Sequence, residues 1–195
     1  VTLELGGKSP AIVGPGARLD NAVERIMFGK LVNAGQTCIA PDYVLLPRAR
    51  VAEFIDAATR TVAKMDPQLA EGGQYSSIVS DRQYQRLVGL RDGAASAGAS
   101  VHSLSASSED ASRRMLPPQL LSNVNDEMAV MREEIFGALL PLLPYDTLDE
   151  AIAYVADHPH PLACHVPGLR DRDHQLSGPD QSVRRRPDPS KPASS

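Results

Sequence analysis

The sequence contains few cysteines and little excess charge. Two cysteines, Cys38 and Cys164, occur in 195 residues, which is too few for a disulfide framework, and no Cys or His pair has the spacing of a zinc site. A formal net charge of −4 provides no attraction for a nucleic acid or an anionic membrane. No apolar run is long enough to span a bilayer, and residues 1–10 do not resemble a secretory signal. These absences predict a protein of a reducing compartment, the cytosol, with neither nucleic-acid nor membrane partners.

The composition is that of a globular protein, with 42% apolar and 23% charged residues. A length of 195 residues suits one domain of ordinary size. The chain does not begin with Met, and we expect it to start inside a longer protein.

Strand and helix patterns alternate along the chain. β-branched and apolar runs predict strands, and apolar residues at a 3.6-residue period predict helices. The predicted strands are residues 1–5, 11–13, 43–46, 101–104, 119–124 and 139–143. The predicted helices are residues 20–31, 49–65, 80–98 and one that follows Thr147, with Asp20, Ser80 and Thr147 as caps. This alternation predicts an α/β fold, an open, largely parallel sheet with flanking helices.

The composition of the sequence changes near Cys164. Residues 165–195 are rich in Pro and have almost no apolar periodicity, so they cannot bury enough surface to offset their ordering entropy. We therefore expect a domain over residues 1–163 and a disordered tail over residues 164–195.

Cys38 lies in the stretch VNAGQTCIAPDYVLL, just after a predicted helix end at Asn33-Ala34-Gly35. A free cysteine is most often a small buried hydrophobe, and composition alone favours that interpretation. The alternative is a nucleophile, which needs an amide-rich or electropositive setting. A loop of small residues can aim backbone N–H groups at one point, where they would also stabilise an oxyanion.

Glu4 ends a predicted strand in LELGGKS. It is either an exposed strand-end carboxylate or a general base, because sites form at the carboxyl ends of strands in α/β sheets and apolar surroundings raise a carboxyl pKa. The GGKS sequence is not a phosphate-binding loop, because that motif requires Gly where the chain has Thr2.

A third stretch, REEIFG, contains Glu134 and Phe136. It can be an ordinary turn, or it can present a carboxylate to sugar hydroxyls and a ring to a flat heterocycle. On its own this stretch is weak, and the ordinary turn is favoured.

The three stretches, in this order, resemble one family, the aldehyde dehydrogenases. LELGGKSP is similar to the family's glutamate motif, NAGQTCIAPDYVL to its cysteine motif and EEIFGALLPL to its cofactor-contact motif. The APDY that follows Cys38-Ile39 most resembles the branch of coniferyl-aldehyde and fatty or aromatic aldehyde enzymes. The resemblance covers residues 1–163, and three ordered motifs outweigh the buried-thiol interpretation of Cys38.

The resemblance implies roles for four residues. Cys38 would attack the aldehyde carbonyl, and Glu4 would activate the water that hydrolyses the resulting thioester. Glu134 would bind the nicotinamide-side ribose of NAD or NADP, and Phe136 would pack near the nicotinamide. The substrate would be a small aldehyde, full-length relatives would form homo-oligomers, and no metal would be involved.

The sequence departs from the family in three places. Ala138 replaces the usual Pro after EEIFG, and HPHPLA continues as CHVPG instead of a strand such as ALYVF. The family's dinucleotide-binding segment would lie upstream of Glu4. We therefore expect a catalytic domain truncated at both ends, with weak NAD binding or none, and a tail that either a frame change or a degraded gene end would produce. The alternatives are a remnant without dehydrogenase activity that serves in subunit interaction, and a cofactor-independent thiol esterase.

Overall fold

The computed structural model describes residues 6–65 and 75–167. Five strands lie in these ranges, namely β1 (Pro10–Ile12), β2 (Tyr43–Pro47), β3 (Ser100–Ser103), β4 (Gln119–Ser122) and β5 (Leu139–Tyr145). The five α-helices are α1 (Leu19–Leu31), α2 (Val51–Met65), α3 (Asp81–Ser96), α4 (Ala129–Arg132) and α5 (Leu148–Ala156). The short helix α4 was not predicted, because four residues are too few to show a helical period.

The strands form one sheet in the order β1-β2-β5-β4-β3. β1, β2, β5 and β4 run parallel to one another, and only the edge strand β3 is antiparallel, to β4. The predicted α/β class and largely parallel sheet are therefore confirmed. β5 is the middle strand and β2 lies beside it. Almost every residue of these two strands is buried, as expected for strands covered on both faces.

Helix α1 connects β1 to β2 and packs against α2. Its buried side chains follow the predicted apolar face and include Ala22, Val23, Ile26 and Met27. Lys30 belongs to the same face and is buried with them. The helices and both central strands share one hydrophobic core.

Two of the three predicted helix caps are confirmed. Thr147 forms a capping box with Glu150, and the Ser80 side chain accepts from the Gln83 amide. The prediction for Asp20 is wrong, because α1 begins at Leu19 and its N-cap is Arg18, without a side-chain hydrogen bond. Asp20 lies inside the first turn, where a carboxylate still interacts favourably with the helix dipole.

The sheet continues beyond β1 on its outer side. His165 bridges Ala11 in parallel. Its amide donates to the Pro10 carbonyl, and its carbonyl accepts from the Ile12 amide, both at 2.8 Å. Residues 164–167 therefore border the sheet, although they belong to the predicted tail. The rest of that tail and the strand predicted over residues 1–5 lie outside the described residues.

No helix in the described ranges is long and apolar enough to cross a membrane.

Candidate active site

The three motifs meet at one edge of the sheet. Lys8 precedes β1, Asp42 precedes β2 and Ile135 precedes β5. Because these strands are adjacent and parallel, the three segments converge at their amino ends. Sites in parallel sheets form more often at the carboxyl ends. Here the cysteine motif belongs to the connection from α1 into β2, so it lies at the amino end of that strand.

The cysteine loop begins with a left-handed turn. Asn33, Ala34 and Gly35 have φ values of 51°, 54° and 74°, a region that non-glycine residues rarely adopt. The turn ends α1 where the sequence predicts and reverses the chain toward β2. Cys38 follows the turn and is exposed to solvent, so the interpretation as a buried thiol is wrong.

Gln36 fixes this loop. Its amide nitrogen donates to the carbonyls of Asn33 at 2.9 Å and Ser77 at 3.1 Å. Its amide oxygen accepts from the Val79 backbone at 2.8 Å. The side chain is buried, so the loop is tied to a distant part of the chain two residues before the thiol. Sequence reasoning missed this role, although Gln36 stands inside the quoted motif.

The cysteine loop and the Glu134 segment touch through two glycines. A Cβ atom on Gly35 would lie 2.3 Å from the Gly137 carbonyl oxygen, which no side chain can tolerate. This contact brings together residues about 100 positions apart in the sequence.

Glu134 stands against the glutamate motif. A Cβ atom on Gly6 would lie 2.1 Å from Glu134 Oε2, so only glycine permits the approach. The carboxylate accepts from the Gly7 backbone amide. Burial, followed by the nearby charge of Asp42, raises the pKa of Glu134 above its ordinary value, while the Gly7 amide, Arg86 and Lys8 oppose the rise.

Phe136 is placed differently. Its ring is 40% exposed, and its φ of 50° lies in the left-handed region. The following Gly137 lets Leu87 approach, since a Cβ there would meet Leu87 Cδ1 at 2.4 Å. The turn therefore presents an aromatic ring beside a half-buried carboxylate.

A partly buried ion pair, between Lys8 and Asp42, joins all three motifs. Lys8 donates to Asp42, and Asp42 Oδ1 accepts from the Ile135 amide at 3.0 Å. The Asp42 amide in turn donates to the Ser9 carbonyl at 2.8 Å. Neither charged residue was predicted to be part of the site, although both stand inside the motifs, in GGKSP and APDY.

Lys30 lies beneath the cysteine loop. It is 1% exposed, and its ammonium group donates to the Pro41 carbonyl at 2.9 Å. Burial lowers the pKa of Lys30 to about 8, and the nearby Asp42 opposes this shift. Its place on the apolar face of α1 was the available signal, because a lysine at a core position is rare unless it has a partner.

A cavity of about 320 Å³ opens beside Glu134. Tyr43, Tyr154 and His158 line it, with 5.9 Å between the centroids of the tyrosines and 4.2 Å between those of Tyr154 and His158. Cys38 is not among the residues that line this cavity. A larger cavity, of about 520 Å³, is lined by none of the motif residues.

The remaining predicted residues have simpler outcomes. Glu4 lies outside the described residues. Cys164 is exposed, and partial burial of its thiol raises its pKa. Among residues 6–65 and 75–167, no group of His, Cys, Asp and Glu could hold a metal ion.

Comparisons with known proteins place this chain in a family. The model of the aldehyde dehydrogenase family matches residues 1–174. A probable coniferyl aldehyde dehydrogenase of Pseudomonas aeruginosa is 50% identical over 168 residues, which are 86% of this chain and 35% of that protein. The coniferyl aldehyde dehydrogenase of a Pseudomonas species is 44% identical over 171 residues, 86% of this chain and 36% of the relative. The chain therefore spans about a third of the length of these curated relatives.

Solved structures agree. A substrate-bound Staphylococcus aureus AldH superposes with a TM-score of 0.79 at 38% identity, over 88% of this chain and 37% of that one. An AldC mutant from Pseudomonas syringae, in complex with NAD+ and octanal, gives a TM-score of 0.73 at 34% identity, over 88% and 36%. The chain belongs to the aldehyde dehydrogenase family.

Proposed function

We propose that this chain contributes the thiol and part of the cofactor site to an NAD(P)-dependent oxidation of an aldehyde to a carboxylate. The observation that supports this most is the contact of Gly35 with Gly137, because it joins the cysteine loop to the Glu134 turn. Exposure of Cys38 next to that contact leaves the thiol open to a substrate.

Cys38 is the proposed nucleophile. Its sulfur attacks the aldehyde carbon and forms a thiohemiacetal, whose oxygen is stabilised by backbone N–H groups of the loop. Loss of hydride then leaves a thioester on the sulfur. Glu4 is the proposed base for the water that hydrolyses the thioester and frees the thiol.

Glu134 and Phe136 are the proposed cofactor residues. A half-buried carboxylate held by the Gly7 amide beside an exposed ring fits a ribose hydroxyl pair and a flat heterocycle. When bound, NAD(P) supplies the hydride acceptor. Glu134 would fix the ribose, and Phe136 would limit where the heterocycle can lie.

The substrate is proposed to be an apolar aldehyde, in the coniferyl or the aliphatic class. Three exposed apolar side chains, Phe28, Val32 and Ile39, belong to the helix and loop that carry Cys38. The names of the Pseudomonas relatives and the octanal in the AldC complex agree with this class. A cytosolic location and a homo-oligomeric whole protein are parts of the same proposal.

The test is acylation of the thiol by an activated ester, p-nitrophenyl acetate, together with an aldehyde-dependent NADH assay. Cys38→Ser should abolish ester turnover, whereas the matched control Cys164→Ser should retain it. Ester turnover that follows Cys164, or that survives both substitutions, would contradict the role of Cys38.

The cofactor arm separates the alternatives. Ester turnover without NADH formation favours the thiol esterase, which the exposed thiol permits because acylation needs no cofactor. Absence of both activities in a folded chain favours the inactive remnant. Micromolar NAD+ affinity with Cys38-dependent NADH formation would show that these 195 residues suffice, against our expectation of weak binding.

A further inference from the structure

Three charged side chains converge on the backbone around Glu134. They come from three separate elements: Lys8 before β1, Asp42 before β2 and Arg86 on α3. None of them bonds the Glu134 carboxylate in the described structure; they bind the peptide groups of this residue and its neighbours.

The Lys8–Asp42 ion pair binds the peptide groups on both sides of Glu134. Lys8 Nζ donates to the Glu133 carbonyl at 2.9 Å, which belongs to the peptide group preceding Glu134. Asp42 Oδ1 accepts from the Ile135 amide at 3.0 Å, which belongs to the peptide group following it. Lys8 also donates to the Val130 carbonyl at 2.9 Å and so fixes the end of α4.

Arg86 binds the same stretch of backbone through two carbonyl groups. Its two terminal nitrogens donate to the carbonyls of Glu134 and Ile135, the latter at 2.9 Å. The planar, rigid fork of the guanidinium places its donors on two consecutive carbonyls in a fixed geometry, whereas the three donors of a lysine rotate about one point. Its third nitrogen lies 3.7 Å from the Glu133 carboxylate.

A side chain can be aimed reproducibly only if its backbone cannot rotate. Both peptide groups that flank Glu134 are bound to charged partners, and hydrogen bonds to charged groups are stronger than neutral ones. The remaining freedom lies within the side chain, and the Gly6-Gly7 turn limits it through the amide of Gly7.

We propose that Lys8, Asp42 and Arg86 are positioning residues that hold the Glu134 backbone so that its carboxylate is presented at a fixed angle to a ribose. The ribose part of this inference rests on the proposed function. The positioning part does not, because it concerns only contacts within the chain.

The three charges shift the pKa of Glu134 in different directions, and a titration can measure these shifts. Asp42 raises the pKa of the Glu134 carboxyl, whereas Arg86 and Lys8 lower it. Substitution of Arg86 therefore shifts this pKa in the opposite direction from substitution of Asp42. The pKa shift shows that each charge acts on Glu134, whereas the hold on its backbone is measured by exchange of the Ile135 amide.

The experiment is a carboxyl-carbon NMR titration of Glu134 in the full 195-residue chain, combined with hydrogen exchange of the Ile135 amide. In Arg86→Met the pKa should rise and exchange should accelerate about tenfold or more, since two charged hydrogen bonds are lost. In Asp42→Asn the pKa should fall. Arg86→Lys should restore much of the pKa but not the slow exchange.

Arg91→Met is the matched control. It removes a cation from the same helix, one that pairs with Asp92 and Glu109. Both Glu134 measurements should be unchanged in this variant. An unchanged pKa and exchange rate in folded Arg86→Met would overturn the proposal, and if that variant does not fold, the same result in Arg86→Lys and Asp42→Asn would do so.

Nicotinamide mononucleotide, which contains the ribose without adenosine, separates the two parts of the inference. It should perturb the Glu134 carboxyl signal in the wild type and less so in Arg86→Met. No perturbation in the wild type, with pKa and exchange still responding to Arg86, would reject the cofactor role and leave the positioning role established.

Discussion

The cysteine loop and the Glu134 turn perform the same structural task by different means. Both hold a side chain at the amino edge of the sheet with left-handed backbone, at residues 33–35 and at Phe136. On the side that precedes Cys38, the cysteine loop is held by a neutral amide, Gln36. The Glu134 turn is held by the charged residues Lys8, Asp42 and Arg86.

The difference follows from what each side chain is proposed to do. A thiol that attacks a substrate has to be reached, and Cys38 is exposed. A carboxylate that binds a ribose has to be aimed, and Glu134 is half-buried and bound on both sides. Neutral hydrogen bonds fix the loop without placing a fixed charge at Gln36, whereas charged ones constrain the turn more strongly.

The largest effect is expected from disrupting the contact of Gly35 with Gly137, which joins the two regions. Gly35→Ala places a Cβ 2.3 Å from the Gly137 carbonyl oxygen, at a φ of 74°. We expect a loss of about 4 kcal/mol or more in the free energy of unfolding, because backbone strain and a clash with rigid backbone add. Urea denaturation measures this loss. An alanine tolerated within about 1 kcal/mol would show that the two segments can separate freely.

Lys30 lies beneath the cysteine loop, and its variant tests the energetic effect of a buried charge. Burial lowers the pKa of Lys30 from its ordinary value of 10.5 to about 8 in the folded chain. The unfolded chain therefore binds more protons between these values, and the free energy of unfolding should rise with pH across this window by about 3 kcal/mol.

Lys30→Met should remove that rise and stabilise the chain at pH 7 by up to a similar amount, less the lost bond to Pro41. Urea denaturation at several pH values between 7 and 10.5 measures both effects. A wild-type chain whose stability is flat across this window would contradict a depressed lysine pKa.

Gln36→Ala tests the neutral side of the comparison. It removes three hydrogen bonds and should cost about 2 kcal/mol, because buried backbone groups lose partners. Acylation of Cys38 by p-nitrophenyl acetate should fall, since the loop amides lose their alignment. Alkylation by iodoacetamide should persist, because the thiol stays exposed. Loss of alkylation would instead indicate that the loop had collapsed over the thiol.

The two thiols should differ in reactivity. Burial raises the pKa of the Cys164 thiol, and the thiolate is the reactive form. Limited iodoacetamide labelling with peptide mapping should therefore modify Cys38 several-fold faster. Preferential labelling of Cys164 in the folded chain would contradict this order.

The smallest expected effect concerns a glycine remote from the contact. Gly89 lies on the exposed face of α3, and an added Cβ meets no atom within 4 Å. Gly89→Ala should stabilise the chain by about 0.5–1 kcal/mol through helix propensity. Its denaturation curve is the reference against which the loss in Gly35→Ala is compared, and a destabilised Gly89→Ala would undermine that reference.

Much of the fold was predictable because its signals are local. The period of α1, the stop at Asn33-Ala34-Gly35 and the cap at Thr147 each depend on a few neighbouring residues. The Asp20 cap was wrong by two residues, since Arg18 and Leu19 can start the helix without a side-chain bond.

The site was predictable only in part. Cys38, Glu134 and Phe136 stood out through their motifs, and the structure brings their segments together. Arg86 carried no signal, because an arginine on an exposed-looking helix face has no local feature that reveals which carbonyl groups it will meet. Lys8 and Asp42 lie within the quoted motifs, but their pairing across 34 residues depends on the order of the strands in the sheet.

The hydrogen bonds of Lys8 to distant carbonyl groups also bear on the order in which parts of the chain fold. Lys8 binds carbonyl groups 122 and 125 residues further along the chain, whereas the Gln36 bonds of the cysteine loop reach 43 residues at most. Closing the longer loop costs more chain entropy and slows its formation. During synthesis the Gln36 bonds of the cysteine loop can therefore form while the ribosome is still extending the chain, whereas the Glu134 turn and the Gly35–Gly137 contact form only after residue 137 has emerged.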